Sequence, residues 1–157
     1  MPKISAIIHA RKDGHHLGRT LETLRPCDEI IVINHDSGED TPKIGRQYGA
    51  KVRTAITGVE DGTYAVDTQH EWVLCLRPDE TISEALEAAL FEWKDSDPGD
   101  VTGYRLGIRE QRHGGWRQLK PELRLVNRAK LNWKNEMPPT NPTAPKLEGD
   151  LLRFADN

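Results

Sequence analysis

Residues 29–34, Glu-Ile-Ile-Val-Ile-Asn, are apolar at four consecutive positions. A strand with one wet face alternates apolar and polar residues; an unbroken apolar run needs cover on both faces. The run at 72–76, Trp-Val-Leu-Cys-Leu, has the same character and passes abruptly into Arg77, Pro78, Asp79 and Glu80. A short apolar run bounded this way reads as a buried strand. In open α/β sheets ligands gather beyond the C-terminal ends of such strands, so Asp79 and Glu80 fall at a candidate binding edge. Arg77 stands where a second carboxylate would serve a metal.

The remaining segments fit a layered α/β domain. A β-type run at 4–9 is followed by Leu17, Leu21 and Leu24 at helical spacing, which predicts a helix over 16–24. The turn at 36–41 carries N-cap residues, and Pro42 suits a first helical turn, predicting a short helix over 42–48. A third strand is expected at 50–54, a loop over 55–64 and a weak helix at 64–70. After the strand at 72–76 comes a helix over 83–93, capped by Thr81 or Ser83. Strands alternating with helices imply a mainly parallel sheet with right-handed crossovers. Beyond a turn-rich linker at 95–100 the pattern changes. Strands are expected at 103–109 and 123–126, with a turn at 114–116. A proline-rich loop follows at 137–145, and an edge strand at 149–154.

With 157 residues the chain is read as one domain, 1–157, with a first half at 1–95 and a second at 96–157. A net charge of -3 gives no general attraction to nucleic acid or an anionic membrane. The two cysteines, Cys27 and Cys75, have no metal spacing, and Cys75 between leucines reads as core. Without a signal segment or a cysteine framework the expected location is the cytoplasm. No apolar run approaches a bilayer span, so any membrane role would need a partner or a lipid substrate. The six histidines, His9, His15, His16, His35, His70 and His113, make no metal-binding pattern along the chain.

The order of these pieces resembles family 2 glycosyltransferases of the GT-A fold, in particular the small bacterial branch that includes lipopolysaccharide-core glucosyltransferases. Residues 4–9 (Ile-Ser-Ala-Ile-Ile-His) and 17–24 (Leu-Gly-Arg-Thr-Leu-Glu-Thr-Leu) are similar to that branch's first strand and helix. So are 27–33 with 36–41, 45–52 (Gly-Arg-Gln-Tyr-Gly-Ala-Lys-Val), and 71–86 around Asp79 and Glu80. Gly114-Gly115-Trp116, then 123–128 (Leu-Arg-Leu-Val-Asn-Arg) and Trp133, echo a later block. The likeness covers residues 4 to about 153 in order. It implies a GT-A-like (Rossmann-like) domain whose residues 1–95 bind a nucleotide sugar and whose β-rich, proline-rich remainder faces the acceptor.

The departures lie in the machinery. The branch's Tyr-Asn after the first strand is Ala10-Arg11 here, and its metal-holding Asp-x-Asp is Arg77-Pro78-Asp79. Its Arg-Asn before the fourth strand falls at 61–64 and is absent, and its Val-His-Glu is Met137-Pro138-Pro139. The resemblance implies transfer of a sugar from a nucleotide-diphosphate donor, UDP-sugar foremost, to a glycan or other hydroxyl acceptor, with inversion. Ala10, Arg11, Asp36, Arg77 and Asp79 would cradle the donor. Asp79 would be the sole ligand left for a divalent cation, Mn²⁺ or Mg²⁺, unless Arg77, with Arg11 or Arg124, supplies that positive charge instead. Glu122 would be the base, with Arg124 beside it, and His113, Trp116 and Glu136 would meet the acceptor. Two other readings remain open: a catalytically silent nucleotide- or glycan-binding module, and a transferase acting on modified DNA or protein. The last is suggested by Arg109, Arg112 and Arg117 beside Trp116.

Overall fold

A computed structural model describes residues 1–11, 16–35 and 40–155. Its strands are β1 (Ile4–Ala10), β2 (Glu29–Asn34), β3 (Lys51–Thr54), β4 (Trp72–Leu76), β5 (Glu80–Ile82), β6 (Gly103–Arg112), β7 (Gly115–Asn127) and β8 (Lys146–Phe154). The α-helices are α1 (Leu17–Glu22), α2 (Asp40–Gln47) and α3 (Glu84–Lys94), with a 3₁₀ helix at Asp61–Asp67. Among the described residues the eight strands join one sheet in the order β3-β2-β1-β4-β7-β6-β8-β5. The β1–β2, β1–β4, β2–β3 and β6–β8 pairs are parallel; only β7 and β5 run against the rest. The mainly parallel α/β architecture expected from the sequence is therefore the one observed.

Strand periodicity sorts the core into two layers. Ile4, Ala6 and Ile8 of β1 and Trp72, Leu74 and Leu76 of β4 face a cluster with Leu17 and Leu21 of α1 and Leu86, Leu90 and Trp93 of α3. The alternate residues Ile7, Ile31, Ile33, Val73 and Cys75 face Tyr64 and Ala65 of the 3₁₀ helix, with Trp133 and Ala144 from the C-terminal half. All five residues of β4 are buried, as its sequence requires. The same parity places His9 of β1 with Ile7 and, one residue past β2, His35 with Ile33, on the face that the 3₁₀ helix covers.

Ser83 is the N-cap of α3, its Oγ accepting from Leu86 N at 3.3 Å. The weak helix expected at 64–70 is instead the 3₁₀ helix, beginning earlier. Gly62 N donates to Lys134 O at 2.8 Å, which anchors that turn to the C-terminal half. The expected edge strand at 149–154 is longer and interior: β8 lies between β6 and β5. The edge is β5, three residues long, which the sequence pattern did not mark. β7 also begins well before the expected position 123, because its first half pairs with β6 as a largely exposed hairpin. Pro121 falls at the irregularity where the register steps from Ile108↔Leu119 to Leu106↔Glu122, a place that tolerates a residue without an N–H.

Candidate active site at the C-terminal strand edge

The segment after β4 is pinned from two sides. Thr20 of α1 donates its hydroxyl to Pro78 O at 2.8 Å, and Asp79 O accepts from Phe154 N at 2.9 Å. Within it Arg77 Nε and Nη2 donate to Asp79 Oδ1 and Oδ2 at 3.0 and 2.8 Å, a bidentate fork. Burial opposes the Arg77 charge, but Asp79 beside it raises the guanidinium pKa above its ordinary value. A cleft of about 430 Å³ opens here, lined by His16, Arg77, Asp79, Glu110, Arg112, Arg153, Phe154 and Ala155. Three guanidiniums thus face two carboxylates, and Arg19 stacks over the Phe154 ring at 4.0 Å.

Glu80, next in sequence, turns inward. Arg124 Nη1 and Nη2 donate to its two oxygens at 2.6 and 2.9 Å, and Arg153 Nε and Nη2 reach Oε2 at 3.1 and 3.0 Å. Burial would raise the Glu80 pKa; Arg124 first, and Arg153 after it, bring it below the usual carboxylate value. Asp79 shares this network with Arg77, and both of its oxygens are engaged. These residues do not fit a divalent cation at Asp79: both carboxylates of the cleft, Asp79 and Glu110, are already engaged by guanidiniums, a lining that suits an anion.

Of the other expected site residues, Glu122 and Arg124 do meet: Arg124 Nε donates to Glu122 Oε1 at 3.1 Å, and Arg153 Nη2 stands 3.9 Å from Oε2. Arg124 is fully buried, so it reaches a bound molecule only through its neighbours. Glu122 also borders a second cleft, of about 550 Å³, with Arg105, Lys120, Thr140, Asn141 and Pro142. His113 occupies the tip of the β6–β7 hairpin with φ 55°, followed by Gly114 at 75°. Trp116 is exposed, its ring edge-on to Phe154 at 5.6 Å, with Arg109 5.5 Å from its centroid. Arg112 and Arg117 both contact Glu110, which offsets part of the basic character of that hairpin. Asp36 lies outside the described residues.

Ala10 ends β1 fully buried, its carbonyl accepting from His35 N at 2.8 Å. Arg11 follows and binds two acids remote in sequence: Nε donates to Glu136 Oε1 at 2.6 Å and Nη2 to Asp61 Oδ2 at 3.1 Å. Beneath them His9 Nδ1 and His35 Nε2 are 2.8 Å apart, and His35 Nε2 is 3.8 Å from Asp61 Oδ1. Burial, then His35, lowers the His9 pKa to about 4; burial, then Arg11, lowers that of His35. His9, His35, Asp61 and Glu136 each place one ligand atom within 4.8 Å of the others. The histidines therefore do make a metal-type grouping, in space rather than along the chain. The legible signal was that His9 and His35 close two adjacent apolar strand runs.

These features define the class of fold: a GT-A-like α/β domain with an arginine-lined cleft beyond the C-terminal ends of β4, β6 and β8. No family model matches the chain. Over 91 residues it is 31% identical to an uncharacterized glycosyltransferase of Rickettsia felis, an overlap of 55% of this chain and 32% of that one. A match of 30% over 91 residues to a second uncharacterized glycosyltransferase, from Rickettsia typhi, covers 55% and 31%. The chain spans about a third of the length of the curated relatives it matches. Among solved structures, a mycobacterial protein 16% identical superposes with a TM-score of 0.52, over 72% of this chain and 43% of that one. Among the described residues no helix is long and apolar enough to cross a membrane.

Proposed function

We propose that this domain transfers a glycosyl group from a nucleotide-diphosphate sugar, UDP-sugar foremost, to an acceptor hydroxyl, and that arginine rather than metal holds the diphosphate. The observation that carries the reading is the cleft lined by Arg77, Arg112 and Arg153 at the C-terminal strand edge. The likeness to the rickettsial glycosyltransferases supports it. In the inverting reaction the acceptor oxygen bonds to the anomeric carbon as the bond from that carbon to the diphosphate oxygen breaks. The diphosphate leaves with the electron pair, and the acceptor proton passes to Glu122. Guanidiniums fixed in place before the charge develops stabilise the departing diphosphate without reorganising. Arg11 and Asp36 are the further donor-side residues, and Trp116 offers an aromatic face to a sugar ring.

The test is calorimetric titration of UDP into the wild type and Asp79→Ala, with and without Mn²⁺, after circular dichroism confirms folding. Removing Asp79 frees the Arg77 fork, so the variant should bind UDP more tightly, and Mn²⁺ should change little. Binding that requires Mn²⁺ and disappears in Asp79→Ala would overturn the arginine arrangement. No binding of UDP in any condition would overturn the donor assignment.

A second reading has its own support. Glu122 stands against Arg124 and Arg153, and Arg124 is enclosed, an arrangement suited to a domain that binds a nucleotide or glycan without turning it over. UDP binding with no release of UDP from UDP-sugar across an acceptor panel would favour that reading.

A further inference from the structure

We propose that His9, His35, Asp61 and Glu136 form a binding site for a metal dication of the Zn²⁺ type, which competes with Arg11 for the two carboxylates. The four ligands come from the end of β1, the residue after β2, the first residue of the 3₁₀ helix and the segment before the proline-rich loop. Sheet register brings the two histidines together, and the hydrogen bond from Gly62 N to Lys134 O joins the segments of Asp61 and Glu136. Ala10 pairs with Asn34, so His9 and His35 come to neighbouring strand ends on one face. Asp61 is brought over that face by the 3₁₀ helix, whose Tyr64 ring lies 5.9 Å from that of His9.

The donor set selects the ion. Two imidazole nitrogens with two carboxylates suit Zn²⁺, Co²⁺, Fe²⁺ or Mn²⁺, whereas Ca²⁺ and Mg²⁺ favour all-oxygen shells. In a tetrahedral site with bonds of about 2.1 Å, ligand atoms stand roughly 3.4 Å apart. The two nitrogens at 2.8 Å and the Asp61 oxygen at 3.8 Å from His35 bracket that spacing. Small side-chain movements bring the group to ligand distance.

Charge balance explains Arg11. With neutral imidazoles the four ligands carry two negative charges, and Arg11 contacts both acids. Its side chain is half exposed, so the guanidinium can swing into solvent as a dication enters. A dication in its place brings two charges to the same pair of carboxylates, and it displaces the proton shared by His9 Nδ1 and His35 Nε2 in their 2.8 Å hydrogen bond. This site rests on its own ligands and not on the glycosyl-transfer reading, although Arg11 belongs to both; it lies at β1 and β2 rather than at Asp79.

The experiment titrates Co²⁺ and Zn²⁺ into the protein, following the visible absorption of Co²⁺ and thermal stability with Zn²⁺. The wild type should give an intense absorption of low-coordinate Co²⁺ at one equivalent, displaced by Zn²⁺, and a raised Tm, since the ion binds only the folded form. His35→Asn and Glu136→Gln should each weaken binding at least tenfold while keeping a native circular dichroism spectrum. Arg11→Ala should strengthen it several-fold, a gain that a scattered surface site would not show. Absence of Co²⁺ absorption, or affinity unchanged in both His35→Asn and Arg11→Ala, would overturn the proposal.

Discussion

Arg124 and Glu80 form an enclosed ion pair, both fully buried, with Nη1 and Nη2 of the arginine 2.6 and 2.9 Å from the two carboxylate oxygens. Arg124 Nη1 also donates to Cys75 O at 3.1 Å, so β7 is tied to β4 as well as to β5. Arg153 of β8 closes the other side of the same carboxylate. Such a pair adds little against a well-packed apolar replacement, but losing one partner strands the other charges.

Glu80→Gln leaves Arg124 without its main counterion in a site closed to water. It should lower stability by about 3–5 kcal/mol. Urea unfolding followed by tryptophan fluorescence would measure it. A loss below about 1 kcal/mol would mean that water or Glu122 takes over the role.

Acid should weaken the fold through the same carboxylate. Its folded pKa lies below the ordinary 4.5, so as pH falls through that value the unfolded chain takes up the proton first. Stability is thus fully present above the unfolded pKa and is lost as pH falls through the folded one. Urea midpoints measured from pH 7 to pH 3 should decline in the acid range. In Glu80→Gln the decline should be shallower, because that titration is removed.

What the sequence made legible follows from where side-chain burial decides the structure. The strands at 29–34 and 72–76 were read to the residue, since unbroken apolar runs have few other uses. The first half of β7 and the short β5 were not, because their pairing rests on backbone hydrogen bonds around charged residues. Arg77 and Asp79 were placed at the binding edge, but their mutual fork was invisible until the turn geometry was known. His9, His35, Asp61 and Glu136 are up to 127 residues apart and meet through the β1–β2 register and the anchoring of the 3₁₀ turn to Lys134, which no local spacing reports.

Gly149 is a point where the backbone tolerates no side chain. Its φ is 86°, and a Cβ would overlap the backbone of Ala85 and Leu86 at the start of α3. Gly149→Ala therefore meets left-handed strain and a steric conflict together. It should destabilise by about 2–4 kcal/mol, read as a lowered Tm. A neutral result would show that α3 can shift off β8.

Arg77→Lys separates charge from geometry in the proposed donor cleft. Lysine retains the positive charge but cannot grip Asp79, or a diphosphate, through two parallel N–H groups. If the fork matters, UDP affinity should fall about tenfold, equivalent to about 1.4 kcal/mol, and Arg77→Met should fall further. Raising the salt concentration should weaken the wild type too, because attraction to guanidiniums partly open to solvent is screened. Equal affinity in the lysine variant and the wild type would instead make the cleft a diffuse positive surface, with Arg112 and Arg153 sufficient for the phosphates.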